Sequence, residues 1–435
     1  MIKDQQDTHW NAFRWLYASE MLSVTGTGLT AFALGAWVYA TTGDTTAFAL
    51  LSVAAILPGH LLLPVSGVLA DLLPRRRVMW ACNLMAGTCA VVLIVLLAGQ
   101  NLSMGFVYIL LSISALCRTL QWITFTATMT QMVPSRHLGR MSALIYIGEA
   151  GQQILAPMVA ALLLPWLSYT GVIGLDAGTF VFALVVLSII PLPGVLQHIR
   201  DLTRDQLRSE LVLGWRFIFR RKGLLLLQVF FAISQFLGGF LPILTLPALM
   251  ELTGSETTTG LTMGAAGLGL IVGTGVLVIR PRNHHRVRAT IWCDVASSVS
   301  LLVLSLGAPF IGAWWVGLWG FIFLMCHAME SGISQDLWQR KVPVAIQGRV
   351  FAIRRFISWS LVPVCYVLAG PLVEDVFAPL YQGIDLPGVS QVSVKLMAIV
   401  SLMAVGAMLR LCVLAPSTLV FKSLWTLEDD LPDYA

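Results

Sequence analysis

The chain is short of charge. Only 11% of its 435 residues are Asp, Glu, Lys or Arg, against roughly a quarter in a soluble globular protein. That deficit leaves most of the surface without groups that water would solvate. Residues 21–43, 45–70, 78–117, 150–175, 177–199, 223–250, 257–279 and 295–329 contain none of the four. A membrane-spanning helix needs ~20 apolar residues, so 78–117 and 295–329 each hold most of two. Soluble enzymes, nucleic-acid binders and secreted domains are excluded, and a net charge of +5 is no nucleic-acid signal. Cysteine is also sparse: seven, at 82, 89, 117, 293, 326, 365 and 412, stand singly at no metal or redox spacing and read as small apolar packing residues. With no nucleophile triad, metal-ligand cluster or phosphate loop in view, neither enzyme chemistry nor a cofactor or metal is expected.

What is abundant is hydrophobic sequence, 57% of the chain with a mean hydropathy of +0.82. The pattern predicts an all-α polytopic membrane protein with twelve transmembrane helices, near 12–40, 46–70, 78–98, 103–127, 140–166, 171–191, 223–249, 258–279, 289–306, 309–332, 350–372 and 393–415. Breaks such as Gly99-Gln100-Asn101 and Gly307-Ala308-Pro309 divide the longest uncharged runs. The first apolar run is a full span long with no clear small-residue cleavage site, so it reads as a resident helix rather than a leader.

Basic residues set the direction of the spans. Of 27 Lys and Arg, all but Arg118 and Lys395 are assigned to one side, including Arg75–Arg77, the group from Arg200 to Lys222, and Arg410 near the last span's end. The opposite loops carry Asp44, Glu251, Glu256, Glu374, Asp375 and Asp385. Both termini are therefore expected in the cytoplasm.

The chain repeats. Val133-Pro134, Gly139-Arg140 and Ala143 recur 209 residues later as Val342-Pro343, Gly348-Arg349 and Ala352. This predicts two pseudo-symmetric six-helix bundles, 1–191 and 223–415, with a cytoplasmic linker at 192–222 and a tail at 416–435. The linker's Trp215-Arg216-Phe217-Ile218-Phe219-Arg220 reads as a short amphipathic helix at the interface. Repeats of this kind place substrate near the bilayer midplane, between the halves. The same shift superimposes Arg118 on His327 and Gln121 on Glu330.

Gly67-Val68-Leu69-Ala70-Asp71-Leu72-Leu73-Pro74-Arg75-Arg76-Arg77 resembles the cytoplasmic signature of the major facilitator superfamily. Pro74 replaces the usual Gly and Leu72 a usual basic residue. The resemblance implies a cytoplasmic gate in which Gly67 permits close helix approach, Asp71 faces the helix start near Gly348-Arg349, and Arg75 and Arg76 meet anionic headgroups. The second-half counterpart has Ile279 in place of the Asp. Arg118-Thr119-Leu120-Gln121 is similar to the motif whose Arg is implicated in proton transfer. Ala156-Pro157-Met158-Val159-Ala160-Ala161 looks like a degraded antiporter motif. Gly174–Phe180, Gln347–Phe351 and Ala369–Asp375 resemble the macrolide-efflux-like and siderophore-exporter-like branch, the drug:proton antiporter type.

An ionisable side chain at the bilayer centre costs ~2.5–3.5 kcal/mol on the mildest scale, so each one needs a reason. Glu20, Arg118, Glu149, His327 and Glu330 are the proton-coupling candidates. Glu149 or Glu20 is the expected ion partner of Arg118, while Asp176 and Asp294 read as structural. Gln121, Trp122, Gln228, Phe231, Gln235, Trp319 and Phe323 are the substrate-cavity candidates, because amides and aromatics suit a bulky amphipathic molecule. Gly264, Gly267, Gly269, Gly273 and Gly275 give the eighth span a small face for close packing.

The expected function is proton-coupled export of an amphipathic organic compound (drug, macrolide or secondary metabolite) by alternating access, from a bacterial inner membrane, as a monomer whose partners are lipid, substrate and protons. A siderophore or peptide-metabolite exporter binding an anionic substrate is the alternative within transport. The alternative from another class is a non-transporting receptor on a transporter scaffold, its acidic tail Glu428-Asp429-Asp430-Leu431-Pro432-Asp433 docking a partner.

Overall fold

The computed structural model describes residues 2–99, 103–132, 138–192, 214–279, 286–343, 346–382 and 393–420; side chains are described for these except at 2–11, 64, 68, 71, 72, 130, 131, 138–147, 149, 150, 153, 278, 348, 349, 352 and 414–420. The side chains of Asp71, Glu149 and Arg349, most of the linker, and the acidic tail lie outside the described residues.

Every regular element among the described residues is a helix. In chain order these are α1 (Ile2–Thr42), α2 (Thr45–Leu72), α3 (Arg75–Ala98), α4 (Met104–Met132) and α5 (Leu138–Ile189). Then come α6 (Lys222–Gly238), α7 (Phe240–Thr253), α8 (Glu256–Ile279), α9 (Arg286–Ile311) and α10 (Ala313–Lys341). The last span pair comprises α11 (Gln347–Ser360), α12 (Val362–Pro371), a π-helical turn (Leu372–Phe377), α13 (Ala378–Tyr381) and α14 (Val394–Val420). Eleven stretches among the described residues are long and apolar enough to cross a membrane.

The twelfth expected span is inside α5, which runs 52 residues. At 1.5 Å per residue such a helix would be ~78 Å long, more than twice the ~30 Å hydrocarbon core, so it must double back. It does so at Ser168 (φ 57°, ψ 177°), three residues after Pro165. The Ser168 hydroxyl is hydrogen-bonded to Leu167 O at 2.5 Å and lies 3.0 Å from Thr170 Oγ1. The two arms correspond to the predicted spans 140–166 and 171–191.

Two other boundaries differ from the sequence reading. The break expected at Gly307-Ala308-Pro309 falls at Gly312 (φ 95°), and Pro309 sits inside the last turn of α9. Gly312 alone there has the left-handed freedom the reversal needs, while Gly307 is covered by the Trp315 ring. The predicted span 223–249 is two helices meeting at Gly239, where an added Cβ would lie 3.0 Å from Gln235 O. The sequence repeat extends to helix ends: α4 and α10, both 29 residues long, begin and end 209 residues apart.

The chain divides into two compact units, residues 1–42 with 50–202, and residues 43–49 with 203–435. In the first, Phe13 and Leu16 of α1, Met79 of α3, Phe125 and Met129 of α4, and Leu187 of α5 form a buried cluster. Glycine lets backbones approach where no lipid-exclusion force would drive them together: an added Cβ on Gly28 would lie 2.5 Å from the Ala156 Cβ, and one on Gly59 would overlap the Thr119 hydroxyl. Gly67 does not serve this way, since a Cβ there meets nothing within 4 Å.

In the second unit Leu224, Leu227, Phe230 and Phe231 of α6 pack with Ile291, Trp338, Val350 and Ile353. Residues 214–219 are helical; Phe217 and Ile218 are buried in this same cluster, while Phe219 is exposed. Gly269 and Gly273 of α8 press against the Phe321 and Met325 carbonyls of α10, which gives the expected small face its partner. Residues 43–49 belong to this unit through the Thr45 N–H, which donates to Glu374 Oε1 at 3.0 Å, and through Lys395, which donates to the Gly43 carbonyl and pairs with Glu374 at 2.7 Å. Gly269→Ala should lower the melting midpoint of the detergent-solubilised protein by several degrees, the equivalent of ~1–3 kcal/mol of overpacking; Gly275→Ala, whose Cβ meets nothing within 4 Å, should leave it unchanged.

Candidate functional site

Each unit carries its own polar constellation at membrane depth. In the first, α1 places Glu20 against α4. Glu20 is buried at 4% exposure and its Oε2 accepts from Gln121 Nε2 at 2.8 Å. Arg118 stands one turn earlier on α4. It is exposed and, among the described residues, takes part in no hydrogen bond or ion pair; Asp176 and Glu20 are the carboxylates within its electrostatic reach. Asp176, on the second arm of α5, is buried against α1. Its Oδ2 accepts from Thr30 Oγ1 at 2.7 Å, and Thr179 Oγ1 donates to its backbone carbonyl at 2.7 Å. Gly26 makes room for that carboxylate, since a Cβ there would lie 2.8 Å from Asp176 Oδ1.

Glu20 and Gln121 are joined directly, Arg118 stands one turn away without the ion pair to Glu20 that was an expectation, and Asp176 lies within its electrostatic reach. Trp122 is half-buried, 5.7 Å from the Phe125 ring at an interplanar angle of 32°, and packs on the core cluster of this unit.

The signature arginines are occupied within their own unit. Buried Arg75 donates from Nη1 to Ala127 O at 2.9 Å. Arg76 donates to three carbonyls around the end of α5: Leu187 at 2.7 Å, Ser188 at 2.8 Å and Ile190 at 3.0 Å. A helix end leaves its last carbonyls unsatisfied, and a planar guanidinium with five N–H groups matches them well. These arginines therefore tie α3 to α4 and to α5 rather than reaching headgroups.

In the second unit the centre is Arg410 of α14. Counted above among the basic residues on the cytoplasmic side, it is buried at 1% exposure inside the bundle. Helix α14 continues ten residues past it, to Val420, which carries Arg410 well inside the span instead of near its end. It forms an ion pair with Asp294 of α9 and lies 3.6 Å from Glu330 Oε2 of α10. Ser234 of α6 accepts from Arg410 Nε at 2.9 Å and donates to Asp294 Oδ1 at 2.5 Å. His327 Nδ1 is 3.7 Å from Glu330 Oε2, and its ring stacks on Phe323 with centroids 6.2 Å apart.

Three of the cavity candidates in this unit are enclosed, Gln228 by the interhelical hydrogen bonding that suited it equally well from sequence. Gln228 does not present both ends of its amide to a cavity: it is fully buried, its Nε2 donating to Arg354 O at 3.0 Å and Ser358 Oγ at 2.7 Å, which ties α6 to α11. Phe231 sits in the apolar core of the unit. Phe323 is buried with the Arg410 guanidinium carbon 5.9 Å from its ring centroid, a cation–π partner for a charge that has left water. Gln235, Trp319 and His327 remain half-buried. Trp319 lies 5.6 Å from the Trp315 ring; Trp315 Nε1 donates to Val303 O at 2.9 Å, whereas Trp319 Nε1 has no acceptor. The signal for Arg410 was present in the sequence, as an arginine within a predicted span.

Comparison with known proteins agrees with this architecture. The chain is 22% identical over 374 residues to macrolide efflux protein A of Streptococcus pyogenes, covering 84% of this chain and 90% of the relative. It is 23% identical over 313 residues to the MFS-type transporter YfiS of Bacillus subtilis, covering 69% and 72%. Among solved structures, the nucleoside transporter NupG superposes with a TM-score of 0.72 at 13% identity, covering 95% of this chain and 99% of that one. A D-xylose–proton symporter superposes at 0.70 and 13% identity, covering 93% and 97%. All are membrane transporters and none is an enzyme. The family model of the Major Facilitator Superfamily matches residues 16–365, and the chain belongs to that superfamily of multi-pass membrane transporters.

Proposed function

We propose that the protein is a proton-driven exporter of an amphipathic organic compound, a drug, macrolide or secondary metabolite, working by alternating access. The observation that carries this reading is the Glu20–Gln121 hydrogen bond one helical turn from Arg118, with Asp176 and Glu20 within that arginine's electrostatic reach. A carboxylate placed there is supported in both of its forms: charged, by the amide and the nearby guanidinium, and neutral, by the burial around it. Loading and unloading a proton changes the local charge by one unit without breaking a packed interface, which is what coupling requires. Likeness to a macrolide efflux protein supports the export direction. Trp122 and Trp319, both half-buried, are the aromatic surfaces assigned to substrate.

The driving force is adequate. One proton crossing 100 mV yields ~2.3 kcal/mol, and a pH unit adds about 1.4 kcal/mol. Together they sustain roughly a 500-fold substrate gradient. We place the protein in a bacterial plasma membrane with both termini in the cytoplasm, as a monomer, because the basic loop residues still fall on one side once Arg410 is removed from their number.

A second reading is favoured by a specific feature, the exposure of Arg118. A guanidinium with no ion-pair partner among the described residues suits a carboxylate or phosphate on the cargo, as in an anionic siderophore or peptide metabolite. Here Arg118 binds substrate instead of organising a proton site.

Three measurements test these readings. In proteoliposomes loaded with ethidium or a macrolide, efflux should accelerate under a proton gradient directed against it and slow when the gradient is collapsed; indifference to both pH gradient and potential rules out proton coupling. Glu20→Gln should slow driven efflux by about tenfold or more, equivalent to ~1.4 kcal/mol in the coupled step, and flatten its pH dependence. Arg118→Ala should impair acidic and cationic cargo alike if the arginine organises the proton site, and acidic cargo selectively if it binds substrate.

A further inference from the structure

The Ser234–Asp294–Glu330–Arg410 cluster does not balance. It contains two carboxylates and one guanidinium, all at 1% exposure or less, so with every group ionised the site holds one uncompensated negative charge where water cannot screen it. Its hydrogen bonding is also incomplete: Asp294 Oδ2, Glu330 Oε2 and Arg410 Nη1 are buried without a hydrogen-bond partner. An oxygen without a hydrogen-bond donor on each of two buried carboxylates calls for one, and a single added proton supplies one while removing the excess charge of the two carboxylates and the guanidinium.

We infer that Asp294 and Glu330 share one exchangeable proton around Arg410, so that the second unit carries a proton-binding site of its own, separate from Glu20. Among the described residues, the groups facing the cluster are Ser234 from α6 and Cys326 and His327 from α10. Of these, His327 alone carries a basic ring nitrogen. Its side chain is 25% exposed while Glu330 beside it is 1% exposed, so the imidazole is the group through which a proton passes between water and the buried pair. Loading adds one proton to a carboxylate oxygen, and unloading returns it to water through the same imidazole.

A metal cation fits less well. Hard cations take several oxygen ligands, whereas the Ser234 hydroxyl here already donates to Asp294 and accepts from Arg410, and the guanidinium stands at the centre of the site.

This site rests on the transport reading only for its role in a cycle; its proton is observable without transport. Infrared spectroscopy of the purified full-length protein at neutral pH, in choline chloride and with exchange into heavy water, reads protonated carboxyl groups directly. A protonated-carboxyl band should be present and should lose a component in both Asp294→Asn and Glu330→Gln, since either substitution leaves one acid neutralised by Arg410. Arg410→Gln removes the cation and should strengthen that component about twofold, because two acids then titrate as a pair without a counter-charge. Circular dichroism identifies any variant that has lost its helices, and the variants separate this band from that of any other protonated carboxyl such as Glu20. Absence of a protonated carboxyl in the wild type, retention of the component in either neutral variant, or its bleaching when sodium replaces choline overturns the inference. A band that behaves as expected in a protein whose efflux ignores the proton gradient upholds this site and rejects proton-driven export.

Discussion

A charge inside the bilayer must carry its own solvation, and that constraint organises this molecule. Where ionised groups enter the helical bundles they do so with partners already built in. Asp176 is held by Thr30 and enters a recess left by Gly26. Glu20 takes the Gln121 amide. Arg75 and Arg76 are spent on backbone carbonyls. Arg410 gathers Asp294, Glu330 and Ser234 from three further helices. Among the described residues, compensation is incomplete at Arg118 and in the doubly acidic cluster of the second unit, which is why a mobile proton or cargo anion is proposed at those places.

The helices supply the frame that makes such placement possible. Because lipid tails are as apolar as leucine, association depends on close backbone approach and interhelical hydrogen bonds, and the glycines at 28, 59, 269 and 273 provide the approach. Breaks at Ser168, Gly239 and Gly312 and the π-helical turn at 372–377 end or redirect helices without leaving long irregular backbone at membrane depth. That turn also positions Glu374, which receives both the Thr45 N–H and Lys395. Lys395 is one of the two basic residues that the orientation rule left unassigned, and its pairing with Glu374 accounts for its position.

Much of this was legible in the sequence. Charge-free runs define the spans because each must be ~20 apolar residues, and the 209-residue repeat reaches as far as the ends of α4 and α10. Glu20 with Gln121, and His327 with Glu330, were identified because polarity stands out in an apolar helix. What was missed followed from treating helices one at a time. Arg410 lies close enough to the last span's predicted end to be mistaken for a loop cation, and only the longer α14 and the facing Asp294 reveal its role. Gln228, Phe231 and Phe323 have the composition of a cavity lining, yet which side of a helix meets a neighbour is settled by tertiary packing, and here they are enclosed. The signature arginines carry a pattern without its geometry, and their carbonyl partners on α4 and α5 are far away in sequence.

The central claim is that proton occupancy and cargo binding oppose one another within these bundles. The most direct measurement is the pH change when a macrolide is added to unbuffered purified protein containing a pH-sensitive dye. Release of protons, saturating with cargo and reduced in a Glu20→Gln, Glu330→Gln double variant that still binds it, is the predicted result. Saturable cargo binding with no proton release at any pH would contradict the account.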